Sequence, residues 1–300
     1  MQQVSRSAQA TGIGFTAILL WATLALLTRW SGNIPPFQLT AFSFTLATLI
    51  GLGFVLYRGG RWTQYLRLPL PVWLLGVGGL FGYHLFYFIA LQNAPAVDAS
   101  LIAYLWPLLI VLFSALLPNE RLRWFHLAGA GMGFLGAGLL VTKGQSLGLD
   151  ARYALGYAAA GICALTWSSY SVLSRRFGSI PTPAVGAFCG VTAVLAWICH
   201  WLLEETVMPQ GGEWGTIAAL GIGPVGLAFF TWDYGVKHGN IKLLGALSYT
   251  APLLSTLLLI LFRQAELTWV VGVACLLIVG GAVLAAGKGR EEGEREKGKG

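Results

Sequence analysis

Charge is what this sequence has least of. Aspartate, glutamate, lysine and arginine make up 10% of its 300 residues, where a soluble domain carries roughly 25%. So few charges cannot solvate a globular surface of this size, and lipid must be the solvent over most of it. Cysteine is scarce too. Cys163, Cys189, Cys199 and Cys275 all lie in apolar runs, without ligand spacing or loop pairing, which leaves them as small buried apolar residues. There is no Walker A loop, no H-E-x-x-H pair and no nucleophile–base–acid set. The G-x-G-x-x-G match at residues 131–136 falls within an apolar run with no strand before it, so it reads as helix packing. Catalytic residues, metal ligands and cofactors are not expected. Hydrophilic stretches long enough for a soluble domain are also missing, so no ATPase domain fits on the chain and no ATPase subunit is indicated.

What is present is 56% hydrophobic residues, 13% aromatics and forty glycines. Glycine is common where membrane helices pack closely. A bilayer core of about 30 Å needs roughly 20 apolar residues of helix. Read at that length, the chain gives ten spans: 12–29, 36–57, 71–92, 97–117, 124–142, 153–175, 183–203, 214–236, 241–262 and 266–287. The first lacks a small-residue cleavage site and reads as a membrane helix, not a removed signal peptide. Residues 1–11 precede the spans, and the charge-and-glycine tail 288–300 is expected to be disordered.

Lysine and arginine set the expected orientation. Arg6, Arg58, Arg61, Arg67, Arg121, Arg123, Arg175, Arg176, Lys237, Lys242, Lys288, Arg290, Arg295, Lys297 and Lys299 fall on the side of the N-terminus; only Arg29, Lys143, Arg152 and Arg263 fall opposite. Both ends are therefore expected in the cytoplasm. The net charge of +7 marks the anionic leaflet, with membrane lipids as partners and no nucleic acid.

The sequence also repeats itself. A shift of 146 lays Trp21 on Trp167, Arg29 on Arg175 and Pro35 on Pro181; a shift of 145 lays Gly76 on Gly221, Tyr104 on Tyr249, Pro107 on Pro252 and Trp124 on Trp269. The halves are 12–142 and 153–287. Five spans is an odd number, so the second half enters the membrane from the opposite side. The expected fold is an all-α membrane protein of ten transmembrane helices in two inverted five-helix repeats. Such repeats mark secondary transporters, with the site near the midplane between the halves.

Polar and aromatic residues deep in spans are the site candidates. On the third span, Tyr83 and Tyr87 share a face with Gly76 and Gly79, and His84 lies beside them. Ser100, Tyr104 and Pro107 form a stripe on the fourth, repeated by Gly245, Tyr249 and Pro252 on the ninth. Proline frees a backbone carbonyl and bends the helix, so Pro107 and Pro252 are expected where a cavity meets the bend. Tyr104 and Tyr249 either line that cavity or tie helices together. His84 could couple protons, or sit neutral and hydrogen-bonded, which is the plainer reading. Asp233 is expected to pair with Lys237 or Lys242. Trp62, Trp73, Trp124, Trp214 and Trp269 fall near span ends as belt residues. Trp106 and Trp167, and less so Trp21, are expected to line an aromatic cavity suited to flat or cationic solutes.

The run Pro107-Leu108-Leu109, the turn Asn119-Glu120-Arg121-Leu122 and the glycine-spaced helix Gly129 to Gly138, echoed by Pro252-Leu253-Leu254, Glu266-Leu267 and Gly272 to Gly281, resemble the drug/metabolite transporter superfamily in its EamA-type branch. Where that branch has Gly-Glu, this chain has Asn119-Glu120 and Ala265-Glu266, so both glutamates read as loop-capping or packing residues. The aromatic stretches around Tyr83, Tyr104-Leu105-Trp106 and Thr166-Trp167-Ser168 are most similar to amino acid exporters of the YddG type. The resemblance implies export of aromatic and other amino acids, or related metabolites, across a bacterial inner membrane by alternating access. It also implies a site lined by helices three, four, eight and nine, with one and six closing over it. The alternatives are a multidrug or cationic-compound exporter and, outside transport, a lipid-modifying membrane enzyme, which would need a cluster of acids or ligands that is not found.

Overall fold

The computed structural model describes residues 2–118, 120–145 and 150–297, with side chains from residue 6 to residue 286. Asn119 lies outside the described residues. Nine of its helical segments are long and apolar enough to cross a bilayer: α1 Arg6–Trp30, α2 Pro36–Tyr57, α3 Leu70–Asn93, α4 Ala96–Ser114, α5 Trp124–Thr142, α7 Ala184–Leu203, α8 Glu213–His238, α9 Ile241–Leu261 and α10 Trp269–Ala286. Between them stands α6, Ala154–Arg176, whose 23 residues span about 34 Å. It misses the apolarity of the others because Thr166, Ser168, Ser169, Tyr170, Ser171 and Ser174 lie along it. Its polar face is surrounded by protein, with Ser168 and Ser171 fully buried, so the polarity costs nothing against lipid. Ten helices make the protein a multi-pass membrane bundle.

Local chemistry sets the helix ends. Pro36 opens α2 at its first turn, where a missing N–H is harmless. The next amides, Phe37 and Gln38, donate to the Glu204 carboxylate at 2.8 and 3.0 Å. Gly32 and Gly59 turn the chain in the left-handed region, both at φ +69°, where a side chain would be strained. The last helix continues to Lys297, so the backbone of 288–297, expected to be disordered, is helical instead; glutamate, lysine and arginine are good helix formers. Residues 298–300 lie outside the described residues.

Packing follows the repeat. α1 packs on α8 as α6 packs on α3; α4 meets α6 as α9 meets α1. α2 packs on α7 and α5 on α10, each with its own repeat mate. A pseudo-twofold axis explains all of these pairs at once, and two five-helix halves can share such an axis only when inverted. Glycines set the closest approaches. A Cβ on Gly14 of α1 would fall 3.0 Å from the Cα of Gly235 in α8. Their repeat mates at the α6–α3 crossing are Ala160 and Ala90, both fully buried. The G-x-G-x-x-G stretch is packing as expected, with Gly129 and Gly136 against α10. Two of the five belt tryptophans are placed differently: Trp62 lies over Gly186 and Trp73 stacks edge-on to Phe188 at 5.4 Å, because α7 passes close enough to cover them. Trp124, Trp214 and Trp269 are exposed.

Ten crossings put residues 6 and 286 on one face, called here the near face; the other is the far face.

Candidate functional site

Four of the ten helices are interrupted near mid-span, in repeat-matched pairs. α3 carries a five-residue π segment at Gly78–Gly82 and α8 one at Gly223–Leu227, which correspond at the 145 shift. α4 breaks into Ala96–Ala103 and Trp106–Ser114, and α9 into Ile241–Leu247 and Thr250–Leu261. Each break comes just before its proline. A proline has no N–H to give the carbonyl one turn earlier, which leaves backbone groups that lipid cannot satisfy. In α4 the repair is visible. The Tyr249 hydroxyl donates to the Tyr104 carbonyl (3.2 Å) and accepts from the Leu108 amide (3.1 Å). Those two groups would bond each other in an unbroken helix. Tyr249 is fully buried and its ring meets Phe134 of α5 at 6.3 Å. The structure therefore places it as a tie across the break, the second of the two readings its spacing allowed.

The π segment adds a residue to its turn and divides the expected face of α3. Gly76 meets Phe188 of α7, whereas Gly79 meets the Tyr170 ring of α6. Tyr83 faces α6 with Gly79, 5.7 Å from Trp167.

At the centre, where α1, α4, α6 and α8 meet, stand Trp21, Trp106, Trp167 and Trp232. All six of their pairs have ring centroids between 5.1 and 6.4 Å, four of them edge-on or tilted near the favoured geometry. Phe229 adds contacts to Trp21 at 6.2 Å and Trp167 at 5.7 Å. Two indole N–H groups are anchored: Trp21 donates to the Pro224 carbonyl in the α8 π segment (3.0 Å) and Trp232 to the Ser171 hydroxyl (3.0 Å). Trp21 and Trp167 sit on α1 and α6, so these helices supply half of the cluster. α9 supplies no ring to it. Trp232 and Phe229 were not singled out from the sequence. The signal was there: at the 145 shift Trp232 falls on Tyr87 and Phe229 on His84.

On the far-face side of the tryptophans lies a second, more polar group. Tyr83 stacks on Tyr87 at 6.0 Å, and the Tyr87 hydroxyl shares a 3.1 Å hydrogen bond with Ser100 of α4. His84 Nδ1 lies 2.7 Å from the Leu80 carbonyl. A carbonyl only accepts, so that nitrogen carries the proton. The ring meets Phe44 edge-on at 5.2 Å. Tyr83, His84, Tyr87 and Tyr104 are all half-buried.

The near-face side is closed differently. Glu120, after α4, holds Lys242 at 2.7 Å and Arg175 at 3.2 Å. Arg175 also donates to the Gly239 carbonyl (2.8 Å) and Lys242 to the Arg121 carbonyl (3.2 Å). This clasp joins the first half to the second. Asp233 pairs with Lys237 at 2.9 Å and accepts from Thr182 at 2.8 Å. Lys242 is taken by Glu120 and not by Asp233, and Glu120 is an ion-pair partner, more than the loop-capping residue its spacing suggested. Among the described residues no three acids, histidines or cysteines are grouped as a metal site.

The profile of the EamA-like transporter family matches this chain twice, over residues 10–142 and 154–287. The aromatic amino acid exporter YddG of Ancylobacter novellus is 55% identical over 94% of this chain and 98% of its own length. The aromatic amino acid exporter YddG of Escherichia coli K12 is 24% identical over 92% and 96%. A solved crystal structure 55% identical in sequence superposes with a TM-score of 0.89, covering 93% of this chain and 96% of that one.

Proposed function

The chain belongs to the EamA-like transporter family, and from that premise we propose that it exports aromatic amino acids and related small metabolites by alternating access. It is a membrane transporter and not an enzyme. The observation that carries the substrate reading is the cluster of Trp21, Trp106, Trp167 and Trp232, built from both halves at the point where all the interrupted helices except α9 converge. A flat ring entering that cluster keeps the edge-to-face contacts the indoles now make with one another. Tyr83, Tyr87 and Tyr104 supply hydroxyls beside it for the polar end of an amino acid, with Ser100 in support. The names of the two exporters support the same substrate class.

Burial supports a state open toward the far face. Tyr83, His84, Tyr87 and Tyr104 are half-buried there, whereas the near face is tied by Glu120, Arg175 and Lys242. With fifteen of nineteen basic residues on the near face, we place that face in the cytoplasm, in a bacterial inner membrane. Substrate leaves by the far face, and the cytoplasmic route opens when the halves rock. The His84 tautomer favours a neutral, structural histidine.

The test is purified protein in liposomes offered labelled tryptophan, phenylalanine, tyrosine and a panel of other amino acids and aromatic cations. Saturable movement of the aromatic amino acids is expected. Movement of cations alone would replace the amino-acid reading with the multidrug one. No movement of any panel member would remove the export reading.

A further inference from the structure

The near-face clasp has an unformed twin. The shift of 146 that lays Arg29 on Arg175 also lays Glu120 on Glu266. Arg29 lies in the last turn of α1 as Arg175 lies in the last turn of α6. Glu266 follows α9 as Glu120 follows α4. The twofold packing puts these ends side by side. The far end of α1 touches the far end of α9, with Trp30 edge-on to Phe262 at 5.3 Å. Yet both Arg29 and Glu266 are exposed, and among the described residues no ion pair joins them. Glu120, Arg175 and Lys242, by contrast, are 17%, 27% and 13% exposed.

We propose that Arg29 and Glu266 form the far-face clasp when the halves invert, and that one clasp opens as the other closes. The proposal rests on the alternating-access reading but not on any substrate. In inverted repeats, a contact made on one face in one state is available to the repeat mates on the other face in the opposite state. Here the chemistry of the pair, arginine on carboxylate, is retained at both ends. The third member is not. Position 96, the mate of Lys242 at the same shift, is Ala96, so the far clasp has two charges where the near clasp has three. The imbalance holds the resting protein closed at the near face.

The test uses full-length protein in nanodiscs, with its four membrane-embedded cysteines replaced by alanine. Spin labels go on exposed Thr28 and Gln264, beside the proposed pair but leaving it intact. Wild type should show one long interlabel distance. Glu120→Gln opens the near clasp and should add a shorter component. Adding Glu266→Gln to Glu120→Gln should abolish that component, and Glu266→Asp should keep it. An unchanged distance in Glu120→Gln, or a short component that survives Glu266→Gln, would overturn the proposal. Because the readout needs no solute, a failure to move amino acids in liposomes leaves it intact, and the reverse holds too.

Discussion

Tyr83, His84, Tyr87 and Tyr104 of the first half correspond, at one shift of 145, to Ala228, Phe229, Trp232 and Tyr249 of the second. The local frame is the same in both: a π segment, one helical turn, then a proline break in the next helix. The surroundings are not. The first four are half-buried; their mates are buried, Trp232 and Tyr249 completely. Side-chain chemistry follows the same division, hydroxyls and an imidazole against mainly apolar rings. The fold is therefore nearly symmetric while the state is not, and the sequence has drifted to favour closure on one side.

The largest test of that contrast is Trp232→Ala. Removing a fully buried indole that touches three others should cost about 3–5 kcal/mol, read as loss of stability to denaturant in detergent micelles. Tyr87→Ala, its mate, should cost about 1 kcal/mol but lower transport strongly. Equal losses of stability would erase the distinction. Next comes Tyr249→Phe, which leaves the Tyr104 carbonyl and the Leu108 amide without their bridge and should cost about 1–3 kcal/mol. Tyr104→Phe should change stability by less than about 0.5 kcal/mol, and hydrogen exchange at Leu108 should speed up only in the former.

Trp106→Ala sharpens the comparison from the substrate side. An aromatic contact worth about 1.4 kcal/mol corresponds to about tenfold in affinity. The half-saturation concentration for tryptophan should rise by about that factor, and that for an aliphatic amino acid should not. The smallest effect is expected from His84→Gln. Its proton is committed to the Leu80 carbonyl, so the pH profile of transport between about pH 6 and 8 should keep its shape. A profile flattened by this substitution would restore the coupling role.

Hydropathy and the doubled sequence made the ten helices and their inversion legible, because lipid demands long apolar runs and duplication leaves residues in register. The candidate site was legible only in part. Trp106 and Trp167 were readable as deep aromatics, but Trp232 was hidden among the apolar and polar residues of α8, where nothing local marks it off from packing. Tyr249 matched Tyr104 in register, and only three-dimensional placement shows that one hydroxyl bridges backbone groups while the other has no bridge to make. The polar α6 looked like a poor membrane helix for the same reason: sequence does not say which neighbours will surround it. The pairing of Glu120 with Arg175 and Lys242 joins residues far apart in the chain, and no periodicity encodes it.

The five-residue π segments at Gly78–Gly82 and Gly223–Leu227 carry a consequence for any attempt to re-engineer this bundle. Each behaves as one surplus residue wound into an otherwise regular helix. Excising a single glycine from Gly78–Gly82 would let α3 relax to ordinary winding, and everything after it would swivel by about 100° about the helix axis. Tyr83, His84 and Tyr87 would then point toward a different neighbour without one of them having been mutated. The aromatic lining is thus held in aim by a miscount that both copies of the ancestral half have kept.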